Sequence, residues 1–405
     1  MSSGKQFIEN PQVKSSLKLG VLLSLSLAHF LNDTFQSVIS AIYPILKDNL
    51  FLSFTQIGSI TLVYQICASV FQPAFGVIFD KLPSPWYLIA GSISTCLGLI
   101  FIAYADTLIL VMISVAFVGL GSSILHPEAS RLTRLASGTK HGLAQSIFQV
   151  GGNFGSSLGP LLAALIISPY GQHYVLYFAF AAFVAIPLKY PIFNWYKKIV
   201  KQMKEAAAAK TSVRESSLPR KTLIFTFIIL LILIFSKYVY MASLTNFYTF
   251  YLIEKFDVSI QYSQLFLFVF LFAIALGTFI GGPVGDRIGR KSVMWVSILG
   301  SAPFALLLPH ANLLWTCVLT FFIGFILSSA FTAILIYAQE LLPGKVGFIS
   351  GFFFGFAFGI AGIAAAILGN VADTTGLDYV YNVCAYLPLL GVAAIFLPND
   401  RKKKK

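Results

Sequence analysis

A few polar residues stand inside otherwise apolar stretches of this 405-residue chain, where an ionisable group costs roughly 2.5–3.5 kcal/mol on insertion scales. His29 and Asp33 are one helical turn apart, with Asn32 and Gln36 beside them. At about 1.5 Å per residue from Lys18, a helix carries the pair to roughly 16 and 22 Å, near the middle of a bilayer. An imidazole and a carboxylate so spaced exchange a proton and shift each other's affinity for it. The other reading is a satisfied polar pair that locks this helix to its neighbours. His126-Pro127-Glu128, with Arg131 three residues on, forms a second group. Positions 126 and 128 share no helix face unless Pro127 bends the helix, whereas Glu128 and Arg131 pair at i,i+3 in any case. His126 is expected in a cavity, as proton or substrate site; for Glu128 a proton site and a gate stay open. Lys237 lies deep in its apolar run, between Ser236 and Tyr238. A lone ammonium there wants an anion, either a substrate phosphonate or carboxylate, or a fixed partner such as Asp33 or Glu128.

Weaker candidates surround these. Gln149 and Asn153 share one face at i,i+4, Tyr240 follows Lys237 by three, and Asn246, Tyr248 and Tyr251 lie further along the same run. With Asn32, Gln36 and His126 they would offer hydrogen bonds to a substrate, although amides also serve as glue between helices. Asp80, Lys81, Arg131, Asp286, Arg287, Arg290 and Glu340 fall at the ends of apolar runs and are expected to form a cytoplasmic gate of ion pairs. No cofactor or metal is expected: the five histidines are scattered, Cys67, Cys96, Cys317 and Cys384 stand singly, and no phosphate-binding Gly-x-x-x-x-Gly-Lys-Ser/Thr occurs. The same scatter argues against an intramembrane enzyme.

The elements that must position these groups are transmembrane helices. Hydrophobic residues make up 57% of the chain and charged ones 11%, a balance that belongs in lipid. Apolar runs at about 18–44, 56–79, 86–105, 108–132, 141–168, 173–193, 221–250, 260–285, 291–309, 312–340, 346–370 and 378–397 predict twelve spans. They do not alternate as barrel strands would. The first is not read as a cleaved signal peptide, being too long and carrying Asn32 and Asp33. The net charge of +13 collects in segments on one side, with Lys47 and Lys255 on the other. That asymmetry is the positive-inside rule; it places both termini in the cytoplasm and leaves nothing for nucleic acid to explain.

Residues 196–220 are Lys-rich and lack an apolar run, so they read as a cytoplasmic linker between residues 1–195 and 221–405, six spans each. The halves carry matching punctuation at a nearly constant offset: Gly76 to Lys81 against Gly282 to Lys291, Glu128 against Glu340, and Gly151/Gly155/Gly159 against Gly351/Gly355/Gly359. Duplicated bundles are the mark of secondary transporters, whose halves rock about a midplane site.

Gly282-Pro-Val-Gly-Asp-Arg-Ile-Gly-Arg-Lys291 resembles the cytoplasmic loop motif of the major facilitator superfamily, G-x-x-x-D-R-x-G-R-K. The first-half copy keeps Gly76, Asp80 and Lys81 but has Pro83 and Pro85 in place of its Gly-Arg part. Gly155-Ser-Ser-Leu-Gly-Pro160 is similar to the superfamily's antiporter motif, with Ala163-Ala164 where two glycines are usual; Val115 stands where span 4 usually has its arginine. The segments Leu120 to Arg131, His141 to Pro160 and Ile234 to Ser243 resemble a bacterial drug/proton antiporter branch of that superfamily. The resemblance covers nearly the whole chain. It implies a multi-pass protein of the bacterial inner membrane, working as a monomer in lipid, with protons and a small anionic phosphonate drug as its partners. Proton-linked transport of a natural organic anion, with drug export as a side activity, remains the alternative. The expected cavity is drawn from spans 1, 4, 5, 7, 8 and 10.

Overall fold

A computed structural model describes residues 17–138, 140–206, 219–342 and 346–398. The side chains of His141, residues 203–206, Gly282, Pro283, Asp286 and Val346 lie outside that description, as do linker residues 207–218 and the basic tail 401–405. Among the described residues all regular structure is helical.

Among the described residues ten helices are long and apolar enough to cross a membrane. They are α2 (Phe54–Lys81), α4 (Leu108–Ala136), α5 (Gly142–Tyr170), α6 (Gln172–Gln202), α7 (Arg220–Phe256), α8 (Ile260–Gly281, continuing to Ile288), α9 (Arg290–His310), α10 (Leu313–Leu341), α11 (Gly347–Thr375) and α12 (Leu377–Phe396). Two further helices occupy the remaining expected positions: α1 (Leu19–Ala41), diluted by its polar residues, and α3 (Tyr87–Ala103), which is shorter. Every chain segment in which a span was expected is thus a helix.

Local signals set the helix starts. Ser53 and Gln56 form a capping box before α2; Thr107, Ser259 and Asn312 cap α4, α8 and α10 by accepting from Leu110, Tyr262 and Trp315 backbone N–H groups. Where α8 turns into α9 the backbone takes φ +94° at Gly289, a conformation that the loop motif's glycine supplies without strain. α4 runs continuously through Pro127. α10 does not: it breaks at Ser328–Ser329 between Leu313–Leu327 and Ala330–Leu341, leaving carbonyl groups free to accept from elsewhere.

α1 packs along α5, α4 along α2 and α3, and α7 against α11 and α12. Two pairs join segments from before and after the linker, α2 with α11 and α5 with α8. Small residues allow the close approach: a Cβ added at Gly151 or Gly155 would strike the α1 backbone at Ser26 and Phe30, and one at Gly58 would lie 2.5 Å from the Ala365 carbonyl oxygen on α11.

Candidate functional site

The helices enclose a central cavity of about 260 Å³. It is lined from α1 (His29, Asp33, Gln36), α2 (Thr61, Tyr64, Gln65), α4 (His126), α5 (Gln149, Asn153), α7 (Lys237, Tyr238, Asn246), α8 (Leu271, Ile274), α10 (Ser328, Thr332) and α11 (Phe354, Phe358). The expected set of six helices therefore lacked α2 and α11, which contribute Thr61, Tyr64 and two phenylalanines.

Asp33 stands between two histidines. His29 Nε2 lies 3.1 Å from Asp33 Oδ2, and His126 Nε2 lies 3.5 Å from Asp33 Oδ1. The other ring nitrogens are committed: His29 Nδ1 is 2.9 Å from the Phe148 carbonyl oxygen, and His126 Nδ1 is 3.0 Å from that of Ser122. The Phe148 carbonyl only accepts, so His29 Nδ1 carries a hydrogen and donates it, whereas His126 Nδ1 lies 3.0 Å from both the carbonyl and the hydroxyl of Ser122, and the hydroxyl can donate to it. In a neutral His29 imidazole Nε2 is then an acceptor as well, facing a carboxylate oxygen that also accepts. Such contacts are attractive only with a proton between the two atoms. Asn32 Nδ2 donates to Asp33 Oδ1 at 3.1 Å, but Asn32 is buried outside the cavity wall. His29 stacks on Phe148 with ring centroids 4.1 Å apart, and a Cβ at Gly152 would meet its ring, so the glycine leaves the space the imidazole fills. The three donor atoms lie within 4.8 Å of one another, close enough that a metal ion could use the same set.

Lys237 is buried on the opposite wall. Its Nζ donates to the Ser328 carbonyl at 3.1 Å, in the break of α10, and among the described residues it forms no ion pair. One carbonyl leaves two of three ammonium hydrogens for the cavity. Of the partners expected for Lys237, neither Asp33 nor Glu128 is joined to it; both are engaged elsewhere.

Glu128 does not line the cavity. Its carboxylate accepts twice from Arg131, at 2.8 and 3.0 Å, in a buried fork. Arg131 also donates to the Tyr196 hydroxyl and lies 4.0 Å from Asp80. That packing places Glu128 with the gate candidates rather than with the histidines. Arg290 Nη2 approaches Glu340 Oε1 at 3.9 Å. Lys81 and Arg287 are exposed, and the Asp286 side chain lies outside the described residues.

Gln36 accepts from the Tyr64 hydroxyl at 2.5 Å, Asn153 donates to Thr278 across the α5–α8 contact at 2.6 Å, and Gln149 Oε1 is buried with no hydrogen-bond partner among the described residues. Tyr240 does not belong to this wall. The cavity face of α7 runs through Tyr238, Met241, Ala242, Thr245 and Asn246, and Tyr240 projects from the other side of the helix into the core. Tyr248 and Tyr251 turn away for the same reason, Tyr248 bonding Thr320 and Tyr251 stacking on Tyr381. Two contributors escaped the sequence reading. Thr61 accepts from Tyr43 and donates to Asn246 at 2.8 Å, but a threonine in an apolar run carries no signal. Ser328–Ser329 following Gly324 was a readable break. Lys189, inside the expected span 173–193 and not singled out there, is buried and donates to Ser92 outside the cavity lining.

A helical membrane fold with a polar central cavity defines a class, and the comparisons agree on it. Residues 25–268 and 226–405 match the model of the Major Facilitator Superfamily, and the chain belongs to that family, as a multi-pass membrane protein. It is 56% identical over 390 residues, 96% of this chain and 95% of the relative, to the fosmidomycin resistance protein of Escherichia coli (strain K12). It is 40% identical to the MFS-type transporter YfnC of Bacillus subtilis (strain 168), across 95% of this chain and 94% of that one. The crystal structure of the major facilitator transporter FucP in the outward conformation is similar in fold, with a TM-score of 0.68 at 14% identity over 95% of this chain and 99% of FucP.

Proposed function

We propose that this chain exports fosmidomycin, a small anionic phosphonate, from the cytoplasm in exchange for protons, by alternating access across the bacterial inner membrane. The observation that carries the reading is the shared cavity: the His29–Asp33–His126 cluster and Lys237 face the same space. The kinship with a fosmidomycin resistance protein supplies the substrate.

The two activities fit together electrostatically. With the cavity open inward, Lys237 takes the phosphonate, and Gln149, Asn153 and Gln36 offer hydrogen bonds. Opening outward releases the anion, and protons load the cluster. Return to the inward state and loss of those protons to the more alkaline cytoplasm completes the cycle. Moving each net negative charge outward gains about 2.3 kcal/mol per 100 mV, and a proton moving inward gains a similar amount. In this reading residues 1–195 and 221–405 are the two six-helix bodies, joined by 196–220. α1 and α3 complete twelve spans, both termini are cytoplasmic, and a single copy suffices. Arg131 with Glu128, Tyr196 and Asp80 closes the cytoplasmic side together with Arg290 and Glu340.

Expression in a drug-sensitive bacterial host tests the substrate. The chain should raise resistance to fosmidomycin, and Lys237→Ala should remove that gain while the protein still reaches the membrane. Full resistance in the variant would overturn the anion-site assignment.

A further inference from the structure

α2 (Phe54–Lys81) and α11 (Val346–Thr375) pair antiparallel along their whole lengths, and each ends in an aspartate that meets the first turn of the other. At the cytoplasmic end, Asp80 lies against Gly347 and accepts a backbone hydrogen bond from Phe348. At the far end, Asp373 accepts from the backbone N–H groups of Phe54 at 2.9 Å and Thr55 at 2.7 Å, and from the Thr55 hydroxyl at 2.5 Å. The first four donors of α2 are thereby all accounted for: Gln56 N–H goes to the Ser53 hydroxyl and Ile57 N–H to the Ser53 carbonyl. Ser53 alone would leave two of them to water, so α11 finishes the cap of α2. A carboxylate at a helix N-terminus also meets the positive end of the helix dipole.

Between the two ends the contact is smooth. A Cβ at Gly76, Gly351, Gly355 or Gly369 would come within 2.8 Å of a carbonyl oxygen of the facing helix or of Gly347, so few side chains interlock there. A pair that is smooth along its length and bonded at its tips can part at one tip while staying closed at the other.

We propose that Asp373 is the outer latch of the transport cycle, holding the N-terminus of α2 while the cavity is shut to the outside and releasing it when the cavity opens outward. In this structure the Asp80 contact at the cytoplasmic tip is held at the same time. This assignment rests on the alternating-access reading. Lys47 over the Phe54 ring at 4.9 Å and Lys255 bonded to Asp378 at 3.3 Å lie around the same outer tip, and water reaches Asp373. The latch is consequently a contact that can be broken and re-formed, not a buried fixture.

Two measurements on the full chain in membrane vesicles test it. In the first, Ser40→Cys supplies a thiol in the cavity wall towards the outer end of α1, and its labelling by a membrane-impermeant maleimide added outside is timed. Adding Asp373→Ala should speed that labelling about tenfold, the population shift expected on losing one set of charge-assisted hydrogen bonds; Asp373→Asn, which keeps one acceptor, should fall between. An unchanged rate in Asp373→Ala overturns the proposal. In the second, Thr55→Cys/Asp373→Cys is oxidised to a disulfide. Transport should stop on oxidation and return on reduction, while full transport by the cross-linked protein overturns the latch. If the parent chain moves no substrate under a pH gradient, alternating access fails and the latch with it; if the parent transports and the cross-linked protein does too, the latch alone is wrong.

Discussion

At the residue scale, the coupling of proton to substrate turns on which hydrogen sits where. His29 has its Nδ1 hydrogen held by the Phe148 carbonyl and His126 Nδ1 is engaged by Ser122, so the chemistry is left to the two Nε2 atoms and the carboxylate between them. Asp33→Asn keeps the shape but removes the group that alternates between charged and neutral. Transport driven by a pH gradient should vanish in it, measured as drug uptake into inverted vesicles, while binding of the drug at fixed pH should survive. Uptake at the parent rate would move the proton role away from Asp33. Glu128→Gln is expected to fail differently. It leaves the buried Arg131 guanidinium with only Asp80, 4.0 Å away, as counter-charge, and breaking a comparable buried pair costs up to about 3–5 kcal/mol, so a fall in the thermal melting temperature of the purified protein should accompany any loss of transport. Parent-like melting would separate Glu128 from a structural gate. The sequence made His29, Asp33, His126 and Lys237 legible because ions in apolar runs are rare. It could not show that Asp33 joins the two histidine groups, because that contact spans helices far apart in the chain. Tyr240 went the other way: closeness to Lys237 in sequence said nothing of its helix face.

At the element scale, the site depends on helices that touch backbone to backbone. The Gly151/Gly155/Gly159 run reads as a packing motif in sequence, and it packs α5 on α1; Gly152, which matches no motif, is the one that seats the His29 ring. Gly152→Ala should therefore cost about 1–3 kcal/mol of overpacking, displace His29 and lower proton-driven uptake. The same substitution at Gly171, where a Cβ would meet nothing, strains only its own φ of +97° and should leave uptake near the parent rate. Equal uptake by both variants would contradict the seating role. The break in α10 is a second example. A Gly and two Ser in an apolar run were visible as residue types, but only the fold shows that the freed Ser328 carbonyl holds Lys237. Discontinuous helices that line a cavity place backbone polarity where a substrate can use it.

At the scale of the whole molecule, apolar runs, charge asymmetry and the loop motif were enough to anticipate a helical membrane protein of the major facilitator superfamily, since lipid leaves so few architectures open. The cavity's full lining was not legible, because α2 and α11 offer mainly threonine, tyrosine and phenylalanine there, residues equally at home facing lipid. The central claim joins the two walls of that cavity: an anion on one side leaves as protons on the other enter. Imposing a pH gradient, acid inside, across inverted membrane vesicles containing the chain tests it most directly. The account predicts fosmidomycin uptake that rises with the gradient, collapses with an uncoupler, and is absent in both Asp33→Asn and Lys237→Ala. Uptake that ignores the uncoupler, or no uptake by the parent chain, would contradict it.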